Sequence, residues 1–252
     1  MFIKRLNRYI MCTVTYIPKG KNSFILTHNR DENIKRAIAS PPLLKKINGI
    51  DHIFPVDPGG GGTWIGLSEN NRIACLLNGG HEKHIPQHPY RHSRGMIIPD
   101  YFEYSDFESF FKYYNFKQLE PFTLLVFENE TIYELVLNEN YIKVRDIANN
   151  RPFIYSSATL YSSEIRQKKQ AEFYKWYKQN TNKELEDILI FHSINKYENY
   201  ADKNLVQANE ILKTVSTTSI YKKEENVLVN YFDHINNFHL KKTLEYKNVI
   251  PV

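Results

Sequence analysis

The sequence predicts an α+β fold built on antiparallel sheets. Short segments rich in Val, Ile, Thr, Tyr and Phe come in pairs around turn residues. No strand–helix–strand alternation of the kind that builds a parallel, dinucleotide-binding sheet runs through the 252 residues. Helical periodicity is confined to stretches between groups of strands.

In chain order, "CTVTYI" (12–17) and "SFILTHN" (23–29) flank "PKGKN" and read as a β-hairpin; "TWIGLS" (63–68) and "RIACLLN" (72–78) flank "ENN" as a second. Between the hairpins, Pro41, Pro42, Pro55 and Pro58 lead to Gly59–Gly62, so a loop is expected there. "SDFE" at 105–108 has capping-box spacing, and Phe107, Phe110, Phe111 and Tyr114 then recur at helical intervals, as a core-packing stripe would. "FTLLVFEN" (122–129), "TIYELVLN" (131–138) and "YIKVRDI" (141–147) read as a three-stranded meander, and "PFIYSSA" (152–158) adds a strand. A helix follows from Ser163 to about Asn180, and "TNKE" (181–184) caps another. "TVSTTSIY" (214–221), "NVLVNYF" (226–232) and "LKKTLEY" (240–246) return to strands.

No repeat or linker interrupts the chain, so one domain over residues 12–252 is expected, with 1–11 as an extension or mis-assigned start. A net charge of +5 without a basic arm or stripe gives no reason to expect nucleic acid. No stretch approaches the ~20 apolar residues of a membrane span, and "MFIKRLNRYI" lacks the apolar stretch of a signal peptide. With only Cys12 and Cys75, a disulfide framework is excluded and a reducing, cytoplasmic setting is expected.

Three clusters could carry chemistry. "GGGGTWIG" lacks the Lys-Ser/Thr ending and the helix of a phosphate loop. His81, His84, His88 and His92 crowd a segment with Pro86 and Pro89, but "HEKH" is one residue short of the H-E-x-x-H spacing; a polar surface loop is expected, with neither metal nor cofactor. "THNRDEN" (27–33) ends a strand whose hairpin partner begins at Cys12, so Arg30 and Asp31 are expected beside Cys12.

Met11 directly before Cys12 is what a start codon followed by a future N-terminal cysteine would look like. Such a cysteine carries a nucleophile and an α-amine of pKa about 7.7–8.0, able to act as base for its own thiol. Arg30 would favour the thiolate, Asp31 would orient the amine, and Asn78, ending "LLNGG", would supply an oxyanion donor. Cys75, of opposite parity to Asn78 along its strand, faces away from it and is expected to pack in the core.

"MCTVTYIP", "NRDE" (29–32), "GGTWIGLS" (61–68) and "LLNGG" (76–80) resemble the NRDE, or transport and Golgi organisation 2-like, family. "YRHSRG", "EPFTLLVF", "SSATLY" and "TTSI" are similar to its later blocks, so the resemblance spans residues 11–233. It implies an N-terminal nucleophile hydrolase-like four-layer αββα sandwich. By position it implies that Cys12 is the nucleophile, that Arg30 and Asp31 match the Arg and Asp of the superfamily's cysteine amidases, and that Asn78 is the oxyanion-hole Asn. The second Asn of those amidases has no clear counterpart; Ser156 and Ser157 stand there. The implied activity is hydrolysis of the amide bond of a small acylated substrate; the other reading is a non-catalytic protein that binds or traffics a lipid or small hydrophobic ligand.

Overall fold

The structure is a computed structural model that describes residues 11–159, 161–193 and 212–246. The readings placed on residues 1–10 lie outside these. Among the described residues, thirteen strands form two antiparallel sheets. The first runs β10 (Phe153–Ser156), β1 (Met11–Gly20), β2 (Ser23–Asn33), β11 (Leu212–Lys223), β12 (Asn226–Asp233), β13 (Phe238–Glu245). The second runs in chain order: β3 (Ser40–Ile47), β4 (Ile50–Val56), β5 (Ile65–Ser68), β6 (Arg72–Asn78), β7 (Phe122–Glu128), β8 (Thr131–Leu137), β9 (Ile142–Ile147).

Alternation along each strand sorts the side chains into three cores. Val14, Tyr16, Leu26, Ile220 and Val229 meet Ile65, Ile73, Leu125 and Ile132 between the sheets. Ala74, Leu76, Leu124 and Val126 turn the other way, under α1 (Ile97–Phe102) and α2 (Phe107–Tyr113). Ile17, Ile25 and Ile154 lie under α3 (Ser163–Gln179) and α4 (Leu185–Ser193). The layers are therefore αββα, as the family resemblance implies.

Two local readings need correction, and one helix was not anticipated. The proline-rich stretch is not a loop but the hairpin β3–β4. Pro41, Pro42 and Pro55 all fall where the ladder between Ser40↔Val56 and Leu43↔Phe54 is interrupted, at the edge of the sheet, so their missing N–H groups cost little pairing. Helix α1 is short and carries Pro99 in its first turn, where proline is tolerated but masks the helical pattern. Helix α2 is capped by Asp106, whose side chain accepts from the Ser109 N–H at 2.7 Å, rather than by Ser105; Phe107 and Phe110 are buried while Phe111 is exposed.

Of the four glycines before β5, Gly62 serves close approach. The Thr63 N–H donates to the Gly95 carbonyl at 2.8 Å, and a Cβ on Gly62 would stand 2.2 Å from the Gly95 backbone. Gly62→Ala should cost about 1–3 kcal/mol, the usual scale of overpacking, and lower the urea midpoint. An unchanged midpoint would show that this loop does not fix the position of β5.

Candidate functional site

The first hairpin turns at Lys21–Asn22, with Asn22 at φ 52, and its register sets Cys12 opposite Arg30. Pairing continues from Arg30 to Ser216 and from Ser216 to Asp233. Cross-strand partners share a face. Cys12, Arg30, Ser216 and Asp233 therefore form one row facing the second sheet, at one end of the inter-sheet layer. The next row is Val14, His28, Thr218 and Tyr231.

This end of the layer is polar and dry. Cys12 is 3% exposed and Arg30 4% exposed. The Arg30 guanidinium lies 4.7 Å from the Trp64 ring centroid, 3.4 Å from the Glu32 carboxylate and 3.6 Å from Asp57. Arg36 closes the group, bonding Asp57 and reaching Glu32 at 3.3 Å. Burial raises the Glu32 carboxyl, against the pull of Arg36 and Arg30. Burial also pushes the Cys12 thiol well above its ordinary range, and Asp31 adds to this. Arg30 and a backbone hydrogen bond from Asp31 oppose it without prevailing. Arg30 alone does not offset the burial of this thiol. The Trp64 indole N–H and Thr218 Oγ1, both buried, lack a hydrogen-bond partner among the described residues and are available to a polar ligand.

Asp31 pairs with Met11 and Thr214, so alternation gives it the opposite face from Cys12, the face of Thr13 toward the α3–α4 layer. Thr214 Oγ1 donates to its carboxylate. Sequence reasoning missed the next residue here, Lys169 of α3. Its ammonium is buried, 2.9 Å from Thr13 Oγ1 and 4.0 Å from the Tyr161 ring centroid. Burial lowers it to about 8, with Asp31 and Cys12 pulling it up. Its signal was its place four residues before Phe173, the other buried residue of α3.

Asn78, 7% exposed, ends β6 and is joined to Cys12 through Ser157. The Ser157 N–H donates to the Cys12 carbonyl at 2.9 Å, and its hydroxyl donates to the Asn78 carbonyl at 2.8 Å. By alternation Asn78 takes the parity of Ala74 and Leu76, but the chain leaves the strand immediately after it, through Gly79 at φ 84. Cys75 lies in the inter-sheet core with Cys12, and burial raises its thiol too.

The histidine loop is not wholly a surface loop. His84 is 8% exposed and meets Glu120 at 3.3 Å; Glu120 also holds Arg94. His81 goes to Glu134, and His92 to Tyr114 and Asp100. The histidines are thus dispersed to separate partners. Among the described residues, no group of three or more His, Cys, Asp or Glu could hold a metal ion. Among the same residues, no helix is long and apolar enough to cross a membrane.

Together these elements make a four-layer αββα sandwich whose first strand turns Cys12 into the inter-sheet layer. The chain belongs to the Transport and Golgi organisation 2 family, whose sequence profile matches residues 11–243. Its fold is similar to that of a Caenorhabditis elegans N-acylethanolamine-hydrolyzing acid amidase ortholog, at 12% identity and TM-score 0.57 over 83% of this chain and 92% of that one. A variant of the conjugated bile acid hydrolase from Clostridium perfringens aligns at 8% identity and TM-score 0.49, over 96% and 99% of the two chains. No curated protein matches.

A lysine held at about 8 against 10.5 in the unfolded chain opposes folding below the lower value. Between the two values the unfolded chain binds the extra proton, so this group makes stability rise with pH. Across that window the wild type should gain about 3 kcal/mol more than Lys169→Met in urea unfolding. Parallel pH slopes would exclude a desolvated ammonium at this position.

Proposed function

We propose that this chain is an N-terminal-cysteine amidohydrolase that cleaves the C–N bond of a small acylated amide, once Met11 and any residues before it are removed. The observation that carries this reading is the register: Cys12 faces Arg30 across the β1–β2 ladder, and Ser157 ties the Cys12 backbone to that of Asn78. The family profile begins at Met11, and a small residue after methionine suits aminopeptidase removal.

Burial favours the protonated thiol, and the α-amine of an N-terminal Cys12 is a base partly free at neutral pH. The amine takes the thiol proton as sulfur bonds to the acyl carbon. The Asn78 amide and neighbouring backbone N–H groups stabilise the oxyanion. Its collapse breaks the C–N bond, and the α-ammonium returns its proton to the leaving amine. Water then attacks the thioester with the same amine as base, releasing the acid and restoring the thiol. Asp31 orients the amine, and Arg30 offsets charge on the sulfur. A chain held at Met1 has an amide in place of that amine and lacks the base.

A chain produced from Met11 should react with iodoacetamide at Cys12 faster than one held at Met1. Its rate should rise through the α-amine pKa of about 7.7–8.0, with Cys75 inert. Peptide mapping by mass reads this; equal rates in the two chains, or labelling confined to Cys75, would exclude the mechanism. With an acyl nitroanilide that the enzyme turns over, Asn78→Ala should lower kcat by ~10²-fold while the protein stays folded. An unchanged kcat would remove Asn78 from the oxyanion site.

A further inference from the structure

The inter-sheet layer has a second end. Along β1 the inward positions run from Cys12 through Val14 to Tyr16 and Pro18, and Tyr16 stands four residues, ~13 Å, from Cys12. There the sheets part around a cavity of about 460 Å³, inside the range of about 300–1,000 Å³ usual for small-molecule sites. None of Cys12, Arg30, Asp31 or Asn78 lines it.

Its walls are aromatic. Tyr16, Phe24 and Phe127 line it and touch one another, with ring centroids 5.3, 5.6 and 5.2 Å apart. Its rim is made of amides. Asn22, Asn71 and Asn129 sit at hairpin tips with φ of 52, 64 and 50, and Asn149 and Asn150 complete the ring from the β9–β10 connection. Such turn geometry alone explains single asparagines, but not five converging on one opening over a ring-lined cavity.

The charges around it are unequal. Lys21 and Lys222 line the cavity against Glu130. Glu128 also borders it, but its carboxylate is engaged elsewhere, accepting from the Tyr101 hydroxyl at 2.6 Å and the Phe107 N–H at 3.1 Å. Lys222 is 9% exposed, its ammonium 2.6 Å from Asn71 Oδ1 and 5.2 Å from the Tyr246 ring centroid. Burial lowers the pKa of this ammonium, while the carboxylates of Glu225 and Glu130 pull it up.

We infer that this cavity is a second ligand site, separate from Cys12, built for a small planar aromatic anion. The rings stack on its faces, the asparagine amides bond its polar edge, and Lys222 with Lys21 meets its charge. An aliphatic anion of similar size would use the lysines and leave the stacking surfaces poorly filled.

The probe is anilinonaphthalene sulfonate, a planar aromatic anion, titrated into the folded full chain by fluorescence. Saturable binding of one dye per chain is expected, unchanged after Cys12 is alkylated and competed only weakly by decanoate. Lys222→Met should weaken it by about tenfold or more, the scale of one charged hydrogen bond. Thr131→Trp, which fills the rim, should abolish it, with circular dichroism reporting that the variant is folded. Unsaturable binding, equal affinity in the wild type and Lys222→Met, loss on Cys12 alkylation, or preference for decanoate would each overturn the assignment. None of these outcomes bears on whether Cys12 is a nucleophile.

Discussion

Two sheets pressed face to face remove from water every second residue of their central strands, and the register of β1 on β2 decides which residues those are. A slip of one residue would send Cys12 to the helix layer and bring Thr13 inward. The register is held from several sides. β10 pairs Ser156 with Thr13, β11 pairs with β2 over nearly its whole length, and Ser157 reaches across to the second sheet. The irregularity between Thr214 and Ser216 sits where β11 passes Asp31 and Arg30, so the ladder bends beside the Cys12 row rather than within the hydrophobic middle.

Placing charge in such a layer is expensive, and the chain answers with partners rather than with solvent. Arg30, Glu32, Arg36 and Asp57 form a closed set of two cations and two anions, with the Trp64 ring against Arg30. Buried groups of this kind add little stability over an apolar replacement, but removing one member leaves the others uncompensated. Their value lies in orientation: Arg30 cannot leave the face of Cys12 without breaking several contacts. On the reverse side of the same strand, Lys169, Thr13 and Asp31 set the field at the backbone of residues 11–13. One strand thus carries the thiol on one face and part of its electrostatic surroundings on the other.

Both hairpins, the meander, α3, α4 and the three last strands were legible, because alternation, turn residues and caps agree there. The hairpin alone was enough to bring Arg30 to Cys12. The proline-bearing strands β3 and β4 were not legible, since the rule that proline breaks a strand fails where an interrupted edge ladder needs no N–H. Lys169 was hidden because "RQKKQ" offers two adjacent lysines, and only the packing of α3 shows that Lys168 is solvated beside Glu164 while its neighbour is buried. The partners of His84 and Ser157 were not legible for a related reason: each takes its meaning from an element distant in sequence, Glu120 in one case and Asn78 in the other.

Among the described residues the order of strands leaves both sheets open, with β3 and β9 bounding one and β10 and β13 the other. Open borders expose unpaired backbone groups on which another chain could add a strand. The borders are guarded by composition: β3 carries Lys45 and Lys46 after its two prolines, β9 carries Lys143 and Arg145, and β13 carries Lys241 and Lys242, while β10 spans only Phe153–Ser156. Two copies meeting border to border would bring like charges together along the seam. Border-to-border addition of a second copy, the polymeric fate open to any unclosed sheet, is opposed by that repulsion.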